Sequence, residues 1–469
     1  MNITKEQVSK WVEAQMPAFL EDLITITNIR SVAEVKDATV APFGQGCRDV
    51  LAKMLEIGQN YGFKTKNYDN YVGCIELNDL EDDIGIWAHL DVVNEGDGWV
   101  YPPYQAQIKD GYVIGRGCQD NKSSAIVGLY AMKFLKEFNI PVKNNVKLYL
   151  GTCEEQGMYD IDYFVEHYPC PKLSLVPDSG FPVCLGERGT FNGDILYNEA
   201  FSEDIIDLHT PESAYMLADD AIIVLRKTDD MLKKVAALPS EISVTISDNI
   251  ECRATGVARN AGNPFSEGNK ANALQTLLVA LHEHSILNEH DDKLLSLCRE
   301  LNTNYDGKAL GIDCTDELSG PLVLACVSAK LENRRLKISF LSRYPISKND
   351  LDFERITADT CKKIGSELTV KRHSKANYFD PSNPVVDKLT KVYNDFMGLN
   401  TKPFVMSGGT YARKLPNAFA FGTGMPLPKA PEGLFLPGHG DYHQPDEAIS
   451  ILRMQNALNI YILSLLEIA

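Results

Sequence analysis

The stretch Ala88–Trp99, AHLDVVNEGDGW, decides how this chain is read. Ile84, Ile86 and Trp87 lead into it as buried sheet, and Gly96-Asp97-Gly98 ends it as a sharp turn. Between them stand His89 and Asp91, one residue apart and so on the same face of an extended backbone. An apolar strand that finishes with an imidazole and a carboxylate places chemistry at its carboxyl end. In an open α/β sheet those ends share one edge, and sites form there.

The pattern recurs downstream. Asp120 follows Gly115-Arg116-Gly117-Cys118-Gln119 and precedes an expected helix, Ser123–Phe138, whose Val127, Ala131, Phe134, Leu135 and Phe138 have helical spacing. Glu154 and Glu155 follow a strand expected over Asn145–Thr152, and Asp178 follows one expected over Leu173–Val176. Singly, each has an ordinary explanation: a packed histidine, a helix-capping Asp120, a solvated glutamate pair, a loop aspartate. Together, four segments bring one histidine and five carboxylates to a common rim. So many anions repel, and bound divalent metal is the simplest compensation. With no thiolate pair on offer, the donor set suits zinc, manganese or cobalt in an open hydrolytic site. His439 and His443 flank Gly440-Asp441-Tyr442, Glu447 follows, and either histidine could complete the set. Gly408-Gly409-Thr410 is a tight turn into a helix start that could contact an anionic ligand.

Composition narrows the function class. The 469 residues are too many for one ordinary domain, and 44% hydrophobic content supports substantial cores. A net charge of −18 argues against nucleic acid and, less firmly, against anionic membranes. No apolar run has the length of a membrane span. Met1–Gln7 lacks the basic and apolar regions of a signal peptide. Eleven scattered cysteines without a CxxC pair then read as free thiols in a reducing cytoplasm.

The fold class expected is α/β. Thr4-Lys5-Glu6-Gln7 fits a capping box opening a helix, and Ala41–Tyr61 reads as another helix. Strands and helices then alternate, which implies a mainly parallel sheet covered by helices. From about Thr190 the style changes. Ile242, Val244 and Ile246 alternate with polar residues, as do Leu336, Ile338 and Phe340, implying one-sided antiparallel sheet. Leu274, Leu277, Leu278 and Leu281 mark a helix between them. The expected domains are a first catalytic segment at 1–189, an inserted α+β domain at 190–379 and a second catalytic segment at 380–469.

The pieces HLDVVNEGDGW, GRGCQDNKS, CEEQG, VPDSGFP, SRYP, SGGTYAR and HQPDE resemble, in order, the motifs of the M20 metallopeptidases, most closely the bacterial PepV-like dipeptidases. The resemblance implies a phosphorylase/hydrolase-like catalytic domain with an inserted lid. It implies two divalent ions, zinc foremost and manganese or cobalt as alternatives. His89 and Asp178 would hold one ion, Glu155 and His443 the other, and Asp120 would bridge them. Asp91 would orient His89, and Glu154 would act as general base. The adjacency of Glu154 and Glu155 suits this division if the backbone is extended there, since neighbouring side chains then point opposite ways. Arg343, on the strand face opposite Leu336, Ile338 and Phe340, would grip a dipeptide carboxylate. Gly409 and Thr410 would contact substrate. The implied partner is a small peptide, and the large lid favours a monomer over a lid-mediated dimer.

Two lid positions depart from the family. Asn260 stands where the family carries a histidine that stabilises the oxyanion, and Tyr215 replaces a substrate-contacting asparagine. Losing an oxyanion donor costs on the order of 3 kcal/mol, and a neutral donor in its place should cost less. Three functions are therefore weighed: a dipeptidase, a related amidohydrolase acting on N-acyl amino acids, and a metal-binding relative with reduced or lost catalysis.

Overall fold

The computed structural model describes residues 3–36, 38, 40–213, 215–257, 259–265 and 272–469. The chain forms two compact units, one of Met1–Gly186 with Tyr378–Ala469 and one of Glu187–Asn377.

The first unit is built on a mixed sheet. At its centre Asn145–Gly151, Asp83–His89, Leu173–Val176 and Ala418–Phe421 run parallel in that spatial order. Lys64–Tyr68 and Val72–Glu76 extend one side antiparallel, and Val183–Glu187 lies antiparallel on the other. Alternation along the central strand explains the layers. Ile84, Ile86 and Ala88 join the larger core with the helices Lys5–Thr27, Ser123–Glu137, Pro384–Met397 and Ile451–Ile468. Trp87 points the other way, stacked on Tyr149 at 4.1 Å and packed with Phe164 and Tyr411. Both sheet faces are thus apolar, which is why the strand reads as a continuous hydrophobic run.

The Thr4–Gln7 capping box is present in both directions. The second helix starts later than expected, at Gln45 rather than Ala41. Its N-cap is Gly44 at φ 91°, and the residues before it turn instead of coiling. A small sheet of Gln107–Lys109, Tyr112–Ile114 and Ala448–Ser450 brings the C-terminal HQPDE segment against the Gly115–Asp120 loop. No helix among the described residues is long and apolar enough to cross a membrane.

The second unit is an eight-stranded antiparallel sheet with helices packed against it. Leu336, Ile338 and Phe340 are buried as their spacing requires. The strand Ile242–Ile246 differs from expectation: Ile242 is buried, but Val244 and Ile246 are exposed. It is the edge strand, and the helix Ala273–Glu283 lies mainly over its inner neighbours.

Candidate metal centre

His89, Asp120 and Glu155 bring ligand atoms within 4.8 Å of one another. His89 is the last residue of its strand and follows the Trp87 face. Its Nδ1 contacts the Asp91 main-chain oxygen at 3.0 Å, so that nitrogen is the donor and Nε2 is left facing the cluster. Nε2 lies 3.0 Å from Asp120 Oδ1 and 3.9 Å from Asp178 Oδ2. On the other side of Asp120, His443 Nε2 lies 3.3 Å from Oδ2 and 3.1 Å from Glu155 Oε1. Asp120 therefore sits between two imidazoles, with Asp178 beside one and Glu155 beside the other. His439 is not in this group; its Nδ1 pairs with Asp446 at 2.6 Å.

The donor set fits divalent metal. Ligands about 2.0–2.1 Å from a tetrahedral ion stand about 3.3 Å from each other, close to the separations seen here. Without a cation, either the imidazoles carry extra protons or lone pairs face carboxylates. The surroundings push that way: burial works against a charged His89, yet Asp120 and Asp91 outweigh it and hold the imidazole well above its ordinary range. His443 is likewise raised to about 10, its burial opposed by Asp120 and Glu155. Glu154 is partly buried, and burial with the charges of Asp178, Glu155 and Asp91 raises its carboxyl well above the usual range despite His89.

Asp91, Asp178 and Glu447 are each held by partners from another segment. Both Asp91 oxygens accept backbone N–H bonds, Oδ1 from Glu154 at 2.9 Å and Oδ2 from Glu155 at 3.0 Å. Asp91 thus meets His89 Nδ1 through both its main-chain oxygen and, at 3.4 Å, its carboxylate Oδ1, and the same carboxylate orders the glutamate pair. Glu154 and Glu155 lie in a turn, not in the extended backbone the sequence suggested; the strand ends at Gly151. The turn is anchored by the Asp91 carboxylate on both amides. Asn121 Nδ2 donates to Asp178 Oδ1 at 2.9 Å. Glu447 Oε1 accepts from the Gln119 and Asp120 amides at 3.0 Å each, and its Oε2 pairs with buried Arg116 at 2.7 Å.

Some of these residues escaped the sequence reading. Arg116, Asn121 and Lys122 were legible only as parts of a motif, and Glu447 only as its last letter. Lys122 is fully buried and donates to the Ile26 and Ile29 carbonyls at the end of the first helix, a favourable place for a cation. Burial lowers its ammonium to about 7. Thr410 is buried, and its hydroxyl oxygen accepts from the Ala412 amide, capping the Tyr411–Arg413 turn. Gly409 is exposed beside it.

Within the second unit, Tyr215, Asn260 and Arg343 lie on one local surface. The Tyr215 carbonyl accepts from the Ala261 amide at 2.7 Å, and Asn260 Oδ1 accepts from the Gly262 amide at 2.8 Å. A Cβ on Gly262 would stand 3.5 Å from Arg343 Cγ. Arg343 donates through Nη1 to Thr190 Oγ1. Tyr215 is 50% exposed. Ala258, in the same stretch, lies outside the described residues.

A parallel-centred sheet whose carboxyl rim gathers imidazoles and carboxylates belongs to the metal-dependent hydrolases. The chain is a member of peptidase family M20/M25/M40, whose pattern matches residues 85–467. It is 29% identical over 470 residues to "Putative dipeptidase YtjP" of Bacillus subtilis, covering 96% of this chain and 97% of that protein. It is 27% identical over 478 residues to a "Putative dipeptidase" of Staphylococcus epidermidis, covering 98% and 97%. In fold it is similar to the aminoacylhistidine dipeptidase of Vibrio alginolyticus, with TM-score 0.56, 13% identity and 96% of each chain covered. It is also similar in fold to human carnosine dipeptidase 1, with TM-score 0.56, 14% identity and 99% of each chain covered.

Proposed function

We propose that this protein hydrolyses dipeptides at a dinuclear metal centre. The observation that carries the proposal is Asp120 standing between His89 and His443, with Asp178 and Glu155 flanking it. Those five residues would hold two divalent ions, zinc foremost and manganese or cobalt as alternatives. When bound, the ions would supply a water acidified towards neutrality and a polarised scissile carbonyl.

The chain's own groups account for the rest. Glu154 accepts the proton of the attacking water on its carboxylate and later returns it to the leaving amine nitrogen. A carboxylate beside the ion site can do both tasks. Asp91 keeps Glu154 and Glu155 in register through their amides and keeps Nε2 of His89 directed at Asp120. The Glu187–Asn377 unit acts as the lid expected from the sequence at 190–379. On it Arg343 receives the substrate carboxylate, and Asn260 donates to the developing oxyanion. Tyr215, Gly409 and Thr410 border the substrate. The relatives named as dipeptidases support this choice of substrate.

A second reading is an amidohydrolase of N-acyl amino acids, which would share the same metal residues. Asn260, standing where the family carries the oxyanion histidine, favours a third, a metal-binding relative with reduced or lost turnover. Metal analysis of the purified protein combined with a panel of dipeptides and N-acyl amino acids separates the three. Glu154→Gln is expected to lower turnover by at least about 10²-fold with metal content unchanged. Undiminished turnover in that variant would remove Glu154 from the mechanism.

A further inference from the structure

We propose that Asp160 and Tyr411 are positioning residues, a buried carboxylate–phenol pair that sets the backbone from Thr152 to Glu155 and ties it to the loop bearing Gly409 and Thr410. The catalytic part of this proposal rests on the function proposed above.

Asp160 is fully buried and Tyr411 is 1% exposed. Asp160 Oδ2 accepts from the amides of Thr152 at 2.6 Å and Cys153 at 2.9 Å, and Oδ1 accepts from Ile161 at 2.8 Å. The Tyr411 hydroxyl donates to the same Oδ2. Asp91 holds the next two amides, of Glu154 and Glu155. Two buried carboxylates therefore clamp four consecutive amides, running from the end of the strand into the glutamate turn. A carboxylate buried this deeply is costly unless several donors converge on it, and here four do. Gly151 makes the junction possible. A Cβ there would stand 1.9 Å from the Tyr411 hydroxyl and 2.5 Å from Asp160 Oδ2. The Tyr411 ring also lies edge-on to the His89 imidazole, with centroids 6.4 Å apart. The pair thus joins the strand end, the glutamate turn and the 407–413 loop at one point.

The test is Tyr411→Phe in the full-length protein, which removes the hydroxyl and keeps the ring. Cobalt(II) is the metal probe, and Tyr461→Phe is the control, because Tyr461 also loses a buried hydroxyl bond, to the Phe421 carbonyl at 2.6 Å. Tyr411→Phe is expected to lower kcat about tenfold with KM within about twofold, to weaken cobalt affinity about tenfold, and to alter the cobalt visible spectrum. Tyr461→Phe is expected to leave all of these unchanged. Should Tyr411→Phe not fold, Asp160→Asn is read by the same criteria. A Tyr411→Phe protein with wild-type kcat and cobalt spectrum overturns the proposal. So does a control that shifts both as far. A wild type that turns over no dipeptide overturns the proposed function alone and leaves the cobalt spectrum to decide the positioning role.

Discussion

Asp91 serves both the histidine and the glutamate turn, its carboxylate lying 3.4 Å from His89 Nδ1 as well as on two amides. Its carboxylate accepts from two amides, while its main-chain oxygen accepts from His89 Nδ1. Asp91→Ala keeps the main-chain contact, orphans the Glu154 and Glu155 amides and removes the carboxylate from beside His89 Nδ1. Metal affinity, measured by calorimetric titration, should fall about 10- to 100-fold, with kcat falling alongside. Asn260 offers the complementary test on the second unit. If its amide merely weakens an oxyanion contact, Asn260→His should raise kcat up to about tenfold with KM little changed. No gain in steady-state assays would mean that the local geometry, in which Asn260 Oδ1 already binds the Gly262 amide, serves a different substrate.

At the scale of elements, glycine and capping positions decide where helices begin. The Thr4–Gln7 box was legible because both partners are local, three residues apart. The second helix starts at the Gly44 N-cap, at φ 91° after a turn, and its first turn then packs against backbone 16 residues earlier. A Cβ on Gly46 would stand 1.9 Å from the Arg30 carbonyl oxygen, so only glycine allows the helix to pass that backbone. Backbone cannot yield as a flexible side chain does. Gly46→Ala is therefore expected to destabilise the protein by about 1–3 kcal/mol, read as a lowered midpoint in urea. The edge strand at Ile242–Ile246 teaches the same lesson. Its alternation is real, but alternation alone does not say whether anything covers the apolar side.

For the whole molecule, the clustered imidazoles and carboxylates lead to the prediction that stability depends on metal. Stripping the protein with a chelator should lower Tm, because the free energy of ion binding to the folded site is then lost. Restoring zinc at about 100 times its Kd should return about 2.7 kcal/mol, measurable as a concentration-dependent Tm. A Tm indifferent to both treatments would argue against a metal site in the folded state.

Sequence alone determined the class of sheet and the strand ends near which His89, Glu154, Glu155 and Asp178 fall, and these follow from periodicity. The pairing of each histidine with its acids was only what the resemblance to the M20 metallopeptidases implies. Only the tertiary structure decided how those groups are held. The Asp91 carboxylate on the glutamate turn, Glu447 on the Asp120 backbone, Lys122 on the first helix and Asp160 with Tyr411 join segments up to 327 residues apart. The reason is physical: a buried carboxylate's value lies in which amides converge on it, and convergence is a property of packing that no spacing along the chain records.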